Sequence, residues 1–151
     1  MVDAATAIAH LVYGYAERLD AGDFGGIADL LERADVTTEG RPHVRRGRED
    51  ILAMYTRTTR RFDDGTPRTK HVTTNLIVEI DDDGATATCR SYFTVFQAVR
   101  GALALQPVIA GRYHDRFVRE DDAWRFAARH IIVDLMGDLS QHLLFDLGDR
   151  S

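Results

Sequence analysis

Two residue types that make a proton-transferring pair stand far apart in this chain. The segment "KHVTTN" carries His71 at the head of a strand-like run, and Asp20 closes the helical stretch "YAERLDAGDF". Strand alternation sends His71, Thr73 and Asn75 to one face and Val72, Leu76, Val78 and Ile80 to the other, so one face is polar where the strand begins. A carboxylate set against an imidazole fixes its tautomer and stabilises the imidazolium formed when the ring takes a proton. Taken from spacing alone, His71 is more often an exposed or hydrogen-bonded strand residue, and Asp20 more often a capping or turn residue.

Other chemistries find less footing. His10, His43, His114, His130 and His142 are scattered, without H-E-x-x-H or paired Cys/His spacing, so no metal is expected. G-x-G-x-x-G, G-x-x-x-x-G-K-[ST] and G-x-S-x-G are all missing, which removes the usual warrants for dinucleotide, nucleoside triphosphate and serine-nucleophile chemistry, and no cofactor is expected. Cys89, mid-strand, reads as a small core residue, and Tyr113, Phe117, Trp124 and Phe126 read as packing between paired strands. Arg41, Arg45, Arg46 and Arg48 in "GRPHVRRGRED" read as a solvated basic face partly neutralised by Glu49 and Asp50, with an anion site as the other reading.

The elements that must hold these residues fall into two groups. Ile8, Val12, Tyr15 and Leu19 have helical spacing, with Gly22 as a stop. A second helix starts near Asp23 as N-cap and buries Ile27, Leu30 and Leu31. An extended arginine-rich piece leads to a third helix that turns Ile51, Met54 and Tyr55 inward. Residues 69–80, 85–100, 105–119 and 123–134 are rich in Val, Ile, Thr, Phe and Tyr and predict four long, hairpin-linked antiparallel strands. "LSQHLLFDL" predicts a short helix that covers an open end of the sheet or meets a partner chain. Helices first and strands after is an α+β order, with the helices packed on one face of a curved sheet.

At 151 residues, 44% hydrophobic and 28% charged, the chain reads as one soluble globular domain over 1–151. No run reaches the ~18 apolar residues of a membrane span, and "MVDAATAIAH" has no signal-peptide pattern. A single cysteine suits a reducing cytoplasm, and a net charge of −5 does not favour nucleic acid.

"YAERLDAGDFGGIADLL", "GREDI", "KHVTTNLIVEIDDDGATATCRSYFTVF" and "GRYHDRFVREDDAWRFAARH" together resemble the SnoaL-like proteins of the nuclear-transport-factor-2-like superfamily. The resemblance covers nearly the whole chain. It implies a cone-shaped α+β barrel, in which a highly curved, mainly antiparallel sheet wraps three helices around a mostly apolar pocket, and often a homodimer or higher homo-oligomer. Within the superfamily the pattern is similar to scytalone dehydratase and hexachlorocyclohexane dehydrochlorinase, which eliminate with an Asp–His pair. Their aspartate and histidine fall on Asp20 and His71, and the dehydrochlorinase's arginine falls on Arg129. Its lysine position holds Tyr15, which points away from halide elimination and leaves dehydration or isomerisation. The resemblance thus implies Asp20 and His71 as catalytic, with Tyr15, Asn75 and Arg129 holding a small, apolar, cyclic substrate. It also allows a non-catalytic partner, like the β subunits of ring-hydroxylating dioxygenases, or a ligand carrier. By strict alternation Arg129 lies opposite Trp124 and Phe126.

Overall fold

The computed structural model describes residues 1–146. Helix α1 (Ala4–Asp20) begins at Asp3, whose carboxylate accepts the Thr6 N–H, and buries the stripe Ile8, Val12, Tyr15 and Leu19. It stops where Gly22 takes φ 73°, a left-handed conformation glycine adopts without penalty. A Cβ there would strike the Gly65 carbonyl, so Gly22 also lets the turn after α3 pack against the end of α1. Asp23 then caps α2 (Phe24–Leu31) by accepting the Gly26 N–H at 2.8 Å. Helix α3 (Arg48–Thr58) turns Ile51 and Tyr55 inward.

Five strands follow the order β1-β5-β4-β3-β2 in one open, mixed sheet. Strands β2 (Thr69–Ile80), β3 (Thr86–Val99), β4 (Leu103–Glu120) and β5 (Ala123–Met136) form the antiparallel ladder expected from composition. The short β1 (Asp35–Thr38) lies in the piece read as merely extended and pairs parallel with β5. The helices pack into the concave face, α1 mainly against β2 and α2 against α3. This is the cone-like α+β architecture. No helix among the described residues is long and apolar enough to cross a membrane.

Two bulges correct the simple alternation. On β2, Asn75 and Leu76 stand opposite the single Ser91, and Asn75 takes φ 56°. The inserted residue reverses the strand's faces, so Leu76 and Val78 join the core on the same side as His71 and Thr73, while Asn75 points to solvent. On β5 the extra residue is Ala127, since Phe126 pairs with Phe117 and Ala128 with Arg116. Phe126 and Arg129, three apart, are therefore both buried inside.

Residues 137–146, the described part of the segment after β5, do not form the expected helix, and Leu147 lies outside the described residues. Leu143 makes a single bridge to Thr59, and the backbone of His142 and Leu144 is tied to Arg60 and Thr58. The buried Gln97 amide donates to the Gln141 carbonyl at 2.9 Å and to the Pro67 carbonyl at 3.0 Å. Long-range bonds thus lay this strap across the open end of the cone.

Candidate functional site

The wide end of the cone encloses a cavity of about 360 Å³. Its walls come from α1 (Tyr15, Leu19), α3 (Met54, Tyr55), the sheet (Phe93, Tyr113, Ile131, Val133) and the strap (His142, Leu143, Phe145). Most of this lining is apolar or aromatic, as small-molecule sites are.

His71 lies in the wall with its side chain only 5% exposed, and its Nδ1 is 2.6 Å from Asp20 Oδ1. The link follows from where each element ends. Helix α1 crosses the start of β2, and its last residue meets the first turn of that strand. Asp20 Oδ2 also accepts the His71 backbone N–H at 2.8 Å, and Oδ1 accepts the Thr69 hydroxyl at 2.8 Å. Burial pushes the Asp20 carboxyl up, but the hydrogen bond and charge of the His71 ring, that N–H and the Thr69 hydroxyl together hold it below the ordinary carboxylate range. An ionised carboxylate on Nδ1 favours the tautomer with Nδ1–H donating to Asp20, which leaves Nε2 as the basic nitrogen.

Across the cavity, Tyr15 and Tyr55 share a hydrogen bond of 2.6 Å between their hydroxyls. Burial holds the Tyr55 phenol well above its usual range, so it stays a neutral donor. Arg129 does not reach the lining. It is fully buried beneath the aromatic wall, bidentate to Asp115 at 2.9 and 2.8 Å, with its guanidinium 4.2 Å from the Tyr15 ring centroid and 3.8 Å from that of Tyr113. Asn75, exposed on its bulge, is not in the cavity wall either. The structure therefore joins His71 and Tyr15 around one space, with Asp20 behind His71, and leaves Arg129 behind the wall and Asn75 outside.

Residues 1–130 match the family described as the SnoaL-like domain. The chain belongs to this SnoaL-like family. No curated protein matches it. Among solved structures, a Mycobacterium tuberculosis protein of unknown function, Rv3472, is 27% identical, covering 87% of this chain and 72% of its own, with a TM-score of 0.68. A candidate scytalone dehydratase from Novosphingobium aromaticivorans is 20% identical over 88% of this SnoaL-like chain and 85% of its own (TM-score 0.68). LinA is 21% identical over 89% and 88% (TM-score 0.68). At these last two identities the likeness is one of fold.

Sequence reasoning passed over two residues of this SnoaL-like site. Gln97 anchors the strap, and His142, only 6% exposed, sits in the wall with its ring 6.2 Å from that of His71 in an edge-on arrangement. The only available signal was the histidine inside an apolar terminal segment. Its Nδ1 is buried without a hydrogen-bond partner. Burial, then the charge of His71, lowers the His142 pKa from 6.5 to about 4, with Asp20 opposing. Between those values the unfolded chain binds the proton and the folded one does not, so stability falls as pH drops from 6.5 toward 4. His142→Phe is expected to remove about 3 kcal/mol of that acid sensitivity. Denaturant titrations at pH 7 and pH 4 measure it, and equal losses in both proteins would contradict the assignment.

Proposed function

We propose that this SnoaL-like protein is a cofactor-independent lyase or isomerase, dehydratase-like in its chemistry, acting on a small, largely apolar cyclic molecule. The observation that carries the reading is the Asp20–His71 hydrogen bond of 2.6 Å in the wall of a mostly apolar cavity. His71 Nε2 takes the proton from a carbon beside a carbonyl, and Asp20 stabilises the imidazolium. In a dehydration the electron pair of the broken C–H bond forms the new double bond, and the hydroxide leaves as water by taking the proton that the His71 imidazolium holds. In an isomerisation the same proton returns at another carbon. The Tyr15–Tyr55 pair uses one of its two phenolic hydrogens internally and offers the other to the oxygen on which negative charge develops. Arg129 positions the Tyr15 ring from behind. A purely structural subunit has no use for a buried carboxylate committed to an imidazole at a cavity wall, which favours the enzyme over that alternative. Exposed Val72, Ile77, Tyr92 and Leu135 on the sheet suit a homodimer.

The test needs no known substrate. Cyclic β-hydroxyketones and cycloalkenones offered in deuterated water are expected to lose water or to exchange their α-hydrogens for deuterium, as followed by proton NMR. A panel of ring sizes from one to three rings that shows neither elimination nor exchange above the buffer rate would overturn the reading.

A further inference from the structure

The charge around the cavity is one-sided. Although the chain carries 24 acidic against 19 basic residues, the described lining holds two arginines and three histidines and not one aspartate or glutamate. The two arginines belong to the basic loop after β1, and the structure separates its three arginines, and Arg48 at the start of α3, by partner. Asp50 takes Arg45 at 3.3 Å, Asp35 takes Arg46 at 2.7 Å, and Asp29 takes Arg48. Arg41 alone has no carboxylate within salt-bridge distance among the described residues; its guanidinium lies over the Phe145 ring at 5.8 Å, at the cavity rim. His43 lines the same rim.

We propose that the ligand of this cavity carries a carboxylate on its apolar ring system, and that Arg41 receives that carboxylate at the mouth. The proposal deepens the proposed function and rests on the cavity being the substrate site. A cation left without an acid among the described residues of an acidic protein, next to an apolar hollow, is matched by an amphipathic organic acid: the ring displaces water from the hollow while the acid group stays at the rim. Guanidinium geometry suits a carboxylate because two parallel N–H donors meet its two oxygens. The Phe145 ring contacts the guanidinium without consuming those donors. The position also orients the molecule. With its acid at Arg41, its ring faces the His71 and Tyr15 walls rather than entering reversed.

Calorimetric titration with 2-naphthoate and its neutral isostere 2-naphthamide tests this on the intact protein. The naphthoate is expected to bind about five- to tenfold more tightly at low salt, with the preference shrinking as salt screens the exposed rim. Arg41→Gln is expected to erase the preference, bringing naphthoate down to the affinity of the amide. Arg100→Gln, which removes the same charge from an exposed site outside the cavity, is expected to keep it. Equal affinities in the unmodified protein, no measurable binding of either probe, or a preference that survives Arg41→Gln would each overturn the proposal. The two readings fail separately: a protein that prefers naphthoate but exchanges no α-hydrogen retains the acid-binding rim and loses the chemistry, and one that turns over neutral ketones while ignoring carboxylates does the reverse.

Discussion

His71→Ala is expected to abolish turnover, and Asp20→Asn to lower it by about 10³- to 10⁴-fold, with both proteins folded. The second figure follows from the tautomer. Asp20 in its ionised form can only accept, so it draws the proton of His71 to Nδ1. An asparagine amide placed there can donate its N–H₂ to Nδ1 instead, which moves the ring proton to Nε2 and presents an N–H where a lone pair is needed. Meanwhile its carbonyl, in the place of Oδ2, still accepts the His71 backbone N–H, and the Thr69 hydroxyl can turn to accept from the amide, so the helix–strand junction survives. A purely structural role for the pair predicts the opposite ordering, a large loss of stability with little loss of rate in the protein that remains folded. The stability profile supplies a second readout. The Asp20 carboxyl is held below 3.8 in the folded state, so its contribution is present above that value and is lost as pH falls through the depressed one. Asp20→Asn is expected to flatten that acid limb, at lower pH than the window in which His142 acts. The measurements are the rate of α-hydrogen exchange and denaturant midpoints from pH 7 to pH 3. Turnover in His71→Ala equal to the unmodified protein would end the case for this base.

How much of this was readable beforehand differs by element. The α1–α2 junction was plain because each signal is local: Gly22 ends one helix and Asp23 caps the next within a few residues. The four long strands were plain because their β-branched and aromatic content is sustained over a dozen residues or more. Strand β1 was not, since four residues carry no periodicity and its parallel pairing with β5 is made across some ninety positions of chain. The bulges were hidden for a related reason. Each shifts the face of everything after it by one residue, so a correct strand yields a wrong inside and outside. Asn75 held a clue, being one of the few residue types that tolerates positive φ in mid-strand. Ala127 held none. The strap was misread as a helix because its conformation is dictated by Gln97 and Thr59, residues it meets only after folding. For the site, a family resemblance and a strand pattern nominated Asp20, His71 and Tyr15, but nothing local said that Arg129 would be spent on Asp115.

That ion pair underlies the second large effect. Asp115→Ala is expected to destabilise the fold by about 3–5 kcal/mol, because it leaves the Arg129 charge with no water and no counterion. Both side chains are 0% exposed. Burial lowers the Arg129 pKa, and the charge of Asp115 with its two hydrogen bonds more than offsets this, so the net shift is upward and the guanidinium stays charged. Nη1 has no hydrogen-bond partner, so its remaining stabilisation comes from the faces of Tyr15 and Tyr113 and from Phe126 at 5.0 Å. In a chain of this size the loss corresponds to a fall in melting temperature of roughly 10 °C. The double variant Asp115→Leu with Arg129→Met is expected to recover most of it, since an apolar pair of similar volume carries no desolvation cost. Its turnover is not expected to recover: without the guanidinium beneath them, Tyr15 and Tyr113 lose the contact that sets their rings, and the phenol facing the substrate oxygen is no longer held. Thermal melts of the three variants separate the stability effect, and exchange rates on the double variant separate the positioning effect. A double variant as unstable as Asp115→Ala, or as active as the unmodified protein, would show that the pair is not the support for the phenolic wall.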